Sequence, residues 1–277
     1  MREKTLYISD LDGTLLNQNA ELSERAVDTL NKLIETGIHF SVATARTAAT
    51  AIHILERVAI NVPMILMNGV LVYDKRAMRY IKKEPLKKSV VNKTLSTIKG
   101  TGQTGLMYTL AGDDMLTYYE RLDNKNLKAF IDERIKKYKK QFKQIGDFMD
   151  VDSEPIYFCF LDTSEEIHRL HAEIREISGI YYEMYQDIYS DDLWYLELFS
   201  ESASKYKSVR FLRQKYGFDK VVGFGDNLND LPLFAACDEC YAVSNAKPEV
   251  KEKATSVIES NENDGVVKWL EENAISS

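Results

Sequence analysis

Two carboxylates two residues apart close a short apolar run near the start of the chain. Asp10-Leu11-Asp12-Gly13-Thr14 follows Leu6 to Ile8. At the end of a strand such a pair can converge on one metal ion, and the adjacent glycine lets backbone approach a ligand closely. In parallel α/β sheets ligands bind at the carboxyl ends of strands, so the motif stands where a site belongs. A second acidic stretch, Gly225-Asp226-Asn227-Leu228-Asn229-Asp230, also follows a strand-like run. It adds two carboxylates and amides. Hard cations such as Mg²⁺ take oxygen ligands and keep several waters. Asp10, Asp12 and Asp226 together would make such a site. Two rival motif readings fail. A calcium loop counted from Asp10 has Glu21 in its last place, but Gly13 comes two places too early and a strand precedes the loop. A dinucleotide fingerprint at Gly223-x-Gly225 has Leu228 where its third glycine belongs.

The elements that must carry these residues alternate. Thr5 to Ser9 reads as a strand. Ser23 reads as the cap of a helix in which Ala26, Val27, Leu30, Leu33 and Ile34 recur at helical spacing, and Gly37 ends it. His39 to Thr44 is a second strand, Thr47 opens a second helix, and Val62 to Met67 is a third strand before the Asn68-Gly69 turn. The C-terminal third repeats the pattern. Helix Lys205 to Tyr216, strand Lys220 to Phe224, helix Leu231 to Ala236, strand Cys240 to Val243 and helix Val266 to Asn273 follow in turn. Such alternation at both ends predicts an α/β fold, a parallel sheet with helices on both faces. Residues 85–192 differ, being rich in Lys, Tyr and Asp, with strand-like runs and long helical stretches at Lys125 to Lys143 and Ser164 to Ile177. They predict an α+β domain inserted into a core made of 1–84 and 193–277.

A chain of 277 residues suits one or two domains. A net charge of −7 and a pI of about 5.3 give no support to nucleic-acid or anionic-membrane binding as the main task. No apolar stretch approaches the ~18 residues of a membrane span, and no signal-peptide core is evident. The expected location is cytoplasmic. Cys159, Cys237 and Cys240 are too few for a disulfide scaffold. Cys237-x-x-Cys240 lacks a second pair and reads as structural. His39, His53, His168 and His171 fall outside every motif. The basic run Arg134 to Lys143 reads as a solvated helix face, and the middle-domain tyrosines read as core.

Asp10 to Thr14 with Gly225 to Asp230 resembles the haloacid dehalogenase superfamily, and the order of further motifs resembles its Cof-type phosphatases. Thr44, in Ala43-Thr44-Ala45-Arg46, matches the Thr or Ser that ends the family's next core strand. Ser204-Lys205 matches its helix-opening lysine segment, and Asn68-Gly69 and Asn245-Ala246 match two further pairs. Ala45 and Tyr206 depart, standing where the family commonly has glycine; neither position supplies a catalytic side chain. The resemblance implies a Rossmann-like core with a large inserted cap that sets substrate specificity. It implies Mg²⁺ held by Asp10, Asp226 and the backbone carbonyl of Asp12, with Asp230 orienting water at the metal. It makes Asp10 the nucleophile that forms an aspartyl phosphate, and Asp12 the general acid and then base. Lys205 would offset charge on phosphate and on Asp10. Thr44 and the Leu11 N–H would bond phosphoryl oxygens. Asn229 would hold phosphate or water, and Asn245 would complete the substrate contacts. Arg46 reads equally as a phosphate contact or as the partner of an acidic neighbour. The expected substrate is a small phosphorylated metabolite, such as a sugar phosphate, flavin mononucleotide or pyridoxal phosphate. A phosphotransferase or mutase using the same aspartyl phosphate is the alternative. A non-catalytic phosphate-binding regulator is a third reading, and retention of both Asp10 and Asp12 argues against it.

Overall fold

Thr5–Ser9, rich in β-branched and aromatic side chains, forms β1, buried along its whole length. The Ser23 hydroxyl accepts from the Ala26 N–H at 2.9 Å and so caps α1 (Glu24–Glu35). Then come β2 (His39–Val42), α2 (Ala48–Ile54), β3 (Met64–Leu66), β4 (Leu71–Asp74) and β5 (Arg79–Lys83). The computed structural model describes residues 3–187, 190 and 192–274. The chain divides into two compact units: Met1–Lys82 with Ser204–Ser277, and Lys83–Ala203.

The second unit holds α3 (Lys88–Thr101), β6 (Leu106–Ala111), β7 (Asp114–Tyr119), α4 (Lys125–Tyr138) and β8 (Lys143–Gln144). It continues with β9 (Glu154–Asp162), α5 (Ser164–Ile174), β10 (Ile180–Gln186) and β11 (Trp194–Ser200). Its sheet runs β10-β11-β9-β6-β7-β8. All pairs are antiparallel except β7 with β8. Strand alternation and helix periodicity meet in one core. There Met107, Phe158, Phe160, Leu196 and Leu198 pack with Val91, Leu95 and Ile98 of α3 and Ile167, Leu170 and Ile174 of α5. Tyr157 alternates with Phe158 and stacks on Phe199, with ring centroids 5.3 Å apart. This unit runs to Ala203, past the boundary at residues 192 and 193 that the sequence predicts. Trp194–Ser200 is a strand that the sequence reading leaves unassigned, and pairing decides which sheet takes it. Leu196 lies level with Phe160 on one side and Met184 on the other, so β11 belongs to the insert.

Ser204 returns the chain to the first unit. There α6 (Lys205–Tyr216), β12 (Lys220–Gly225), α7 (Leu231–Phe234), β13 (Glu239–Val243), α8 (Pro248–Lys253), β14 (Ser256–Ile258) and α9 (Gly265–Asn273) follow. The core sheet is parallel, in the order β14-β13-β12-β1-β2. Parallel strands need crossover connections, which the helices supply. From β1 the sheet grows towards β2, and from β12 it grows the other way. A crevice opens beyond the carboxyl ends at such a switch point. Ser9 is level with Phe224 and with Val42, so the residues just past these three strands emerge side by side. Among the described residues no helix is long and apolar enough to cross a membrane.

Candidate active site

Asp10 leaves β1 in extended conformation, and its N–H still bonds to the Phe224 carbonyl at 3.0 Å. The chain then turns sharply. Gly13 takes a φ of +76°, and a Cβ there would lie 2.5 Å from Asp226 Oδ2. Only glycine lets this turn pass against that carboxylate. Thr14 Oγ1 donates to Asp226 Oδ1 at 2.8 Å, and Asn245 Nδ2 donates to the Gly13 carbonyl at 2.7 Å. The other end of the Asn245 amide accepts from the Asn261 N–H at 3.1 Å. Asn245 therefore ties loops together through both ends of its amide.

The opposite wall is built after β12. A Cβ on Gly225 would lie 2.7 Å from Asp230 Cβ, so the strand end and the Asp230 side chain are closely packed. Asp230 Oδ2 accepts from the N–H groups of Asp226 and Asn227 at 3.0 and 3.1 Å. Lys205 opens α6 behind Ser204, whose hydroxyl caps the helix by accepting from the Lys207 N–H at 3.0 Å. From there the buried Lys205 Nζ reaches Asp10 Oδ1 at 2.8 Å and Asp230 Oδ1 at 2.7 Å. The Asn68-Gly69 turn seats that helix. Gly69 has a φ of +97° against the Ser204 carbonyl, and Ser208 Oγ donates to the Gly69 carbonyl at 2.9 Å.

Thr44 sits just past β2, buried, and its hydroxyl accepts from the Arg46 N–H at 3.1 Å. Arg46 grips Asp12 at two points. Nε donates to Oδ2 at 2.6 Å and Nη2 to Oδ1 at 2.5 Å. Of the two partners the sequence leaves open for Arg46, the structure has the acidic one. The group that faces inward is Asp10, Asp226 and Asp230, with an oxygen from each within 4.8 Å of the others. Asp12 stands outside this group because its carboxylate is turned to Arg46. Asn229 is half-buried and makes no side-chain hydrogen bond among the described residues.

Burial pushes the Asp10 carboxyl well up from its usual value, and the charges of Asp230 and Asp226 add to this against Lys205. Asp226 is pushed up to about 7 by burial and by Asp230, with the Thr14 bond and Lys205 opposing. Burial alone would lower the Lys205 ammonium; Asp10 and Asp230 outweigh it and hold the lysine protonated. Three buried carboxylates thus share one lysine. An all-oxygen donor set of this kind, short of positive charge, fits a hard divalent cation. Among the described residues the two C-terminal cysteines belong to no such group. Cys237 Sγ donates to the Leu233 carbonyl at 3.2 Å, Cys240 Sγ to the Lys253 carbonyl at 3.4 Å, and burial pushes the Cys237 thiol up.

Sequence reasoning assigns no contact to Thr14 or Ser208 and reads Gly69 only as part of a turn and a matching pair. Thr14 is legible as part of its motif. The contacts of Gly69 and Ser208 exist only once the turn after β3 meets α6, and no local pattern encodes that meeting.

Residues 7–270 match a family model described as haloacid dehalogenase-like hydrolase. The chain is 24% identical over 279 residues to a 5-amino-6-(5-phospho-D-ribitylamino)uracil phosphatase of Bacillus subtilis, covering 96% of each chain. It is 23% identical over 270 residues to the pyridoxal phosphate phosphatase of Escherichia coli, covering 94% of this chain and 95% of that one. Among solved structures, a haloacid dehalogenase-like hydrolase from Bacteroides thetaiotaomicron superposes with a TM-score of 0.81 at 21% identity, covering 98% of this chain and 99% of that one. A Thermotoga maritima protein gives 0.78 at 24% identity, covering 98% and 97%. These likenesses extend over the insert as well as the parallel-sheet core. The chain belongs to the haloacid dehalogenase-like hydrolase family.

Proposed function

We propose that the chain is a magnesium-dependent phosphomonoesterase that passes the phosphoryl group through Asp10. The observation that carries this reading is the buried Lys205, which binds Asp10 and Asp230 beside Asp226. Lys205 occupies Asp10 Oδ1, and Oδ2 is the oxygen that attacks phosphorus. The Thr44 hydroxyl and the Leu11 N–H receive the phosphoryl oxygens. Asp12 gives its proton to the departing ester oxygen as the P–O bond breaks. It then takes a proton from the water that hydrolyses the aspartyl phosphate, which restores Asp10 and frees phosphate. Asp10 and Asp226, with the Asp12 carbonyl, would hold Mg²⁺, which when bound neutralises charge on the transferring group. Both Asp230 oxygens are already engaged, so Asp230 acts from behind by holding Lys205 and the turn after β12.

The substrate class is a small phosphorylated metabolite. The two named relatives act on a phosphoribitylamino-uracil and on pyridoxal phosphate, and both belong in a test panel with sugar phosphates and flavin mononucleotide. Phosphate release is measured for the wild type and for Asp10→Asn, each with Mg²⁺ and with chelator. Release should need both the metal and Asp10, with Asp10→Asn slower by on the order of a thousandfold or more. Undiminished release from Asp10→Asn would overturn the nucleophile. Counting free phosphate against phosphate moved to an added alcohol separates hydrolysis from transfer.

A further inference from the structure

Arg46 and Asp12 meet in a two-point pair, with the side chains 14% and 27% exposed. Backbone geometry sets this meeting. The Arg46 N–H is fixed on Thr44 Oγ1, and its carbonyl accepts from the Met67 N–H at 3.2 Å. The guanidinium thus projects from the segment that carries Thr44. Asp12 projects from the segment that carries Asp10. The two strand ends that would cradle a phosphoryl group therefore also bring this pair together.

A guanidinium fork fits carboxylate and phosphate equally well in shape, and a phosphate dianion offers it more charge. An acid needed at the ester oxygen cannot act there while both its oxygens lie on a guanidinium. We propose that Arg46 exchanges partners during the reaction: the arriving phosphoryl group draws the guanidinium from Asp12, and the released Asp12 turns to the ester oxygen. Arg46 is then a phosphate-sensing positioning residue that couples substrate binding to release of the acid. In the exchange one charge-assisted pair replaces another, and the freed Asp12 carboxylate takes up a proton from solvent before it serves the ester oxygen as acid. The proposal rests on the phosphatase reading above.

The competing role is a permanent clamp, in which Arg46 stays on Asp12 throughout. The two differ in what phosphate meets. Inorganic phosphate is titrated calorimetrically, with Mg²⁺ present, into the wild type, Arg46→Ala and Arg46→Lys, and kcat and KM are measured on the best panel substrate. Exchange predicts that Arg46→Ala raises both the phosphate dissociation constant and KM about tenfold or more, with Arg46→Lys between. A clamp predicts a lower kcat with phosphate binding and KM unchanged, and that result overturns the exchange. A crystal structure of the wild type with Mg²⁺ and orthovanadate gives a second reading that depends on no variant. Arg46 on the vanadate oxygens supports the exchange, and Arg46 still forked on Asp12 overturns it. If the wild type releases phosphate from no substrate and binds none, the phosphatase reading itself falls and the exchange falls with it.

Discussion

At the scale of residues, the site is a problem of charge. Asp10, Asp226 and Asp230 are buried together around one lysine, and burial holds the Asp10 and Asp226 carboxyls above their usual range. A carboxyl raised in the folded state binds more protons folded than unfolded across the interval between its two pKa values. Stability then falls as pH rises through that interval. For Asp226 the window runs from about 4, the unfolded value, to about 7. The chelated protein should therefore lose stability between about pH 4 and pH 7. A bound cation replaces those protons, so Mg²⁺ should raise the melting temperature more at pH 8 than at pH 5. Differential scanning calorimetry with Mg²⁺ and with chelator checks this. Equal increments at both pH values would mean that the carboxylates do not hold the ion.

At the scale of elements, the site is made by the residues just past three strand ends, and these are the most legible part of the sequence. Thr5–Ser9 and Lys220–Gly225 announce themselves by β-branched and aromatic runs, and each is succeeded at once by its acidic motif. β14 escapes a reading of the sequence, since Ser256–Ile258 is three residues long and offers no period to recognise. Asp12 and Asn245 are legible among the right neighbours, but their side-chain partners are not. The direction of a side chain depends on turns such as that at Gly13, which no spacing rule supplies. α3 shows a local conflict of another kind. Thr94 is fully buried on its core face, and its hydroxyl has no hydrogen-bond partner among the described residues. An unpaired buried hydroxyl costs about 1–3 kcal/mol, and valine has nearly the same shape. Thr94→Val should therefore stabilise the protein by about 1 kcal/mol, read as a higher urea midpoint at unchanged slope. A lower midpoint would mean that the hydroxyl is bonded after all, for instance by a buried water.

At the scale of the whole molecule, one unit is continuous in sequence and the other is not. The insert is legible as a change in composition near residue 85, but its far edge is not. The segment before Ser204 is as apolar as a core strand, and only its register with β9 and β10 assigns it. Lys83–Ala203 has its own hydrophobic core and all six strands of its sheet. Expressed alone it should unfold cooperatively in urea, whereas 1–82 alone, which lacks β12 to β14, should not. A non-cooperative melt of the isolated insert would show that its core does not suffice.

Lys205 is the second residue of the first unit after the chain returns from the insert. A chain growing on the ribosome carries Asp10 from its earliest stretch, yet the ammonium that allows this acid to be buried arrives more than a hundred residues later. β1 meanwhile waits for β12 as one of its two neighbours. The insert emerges whole before that strand is made. Synthesis therefore completes the inserted unit first, and the buried acidic cluster closes only when the last third of the chain is delivered.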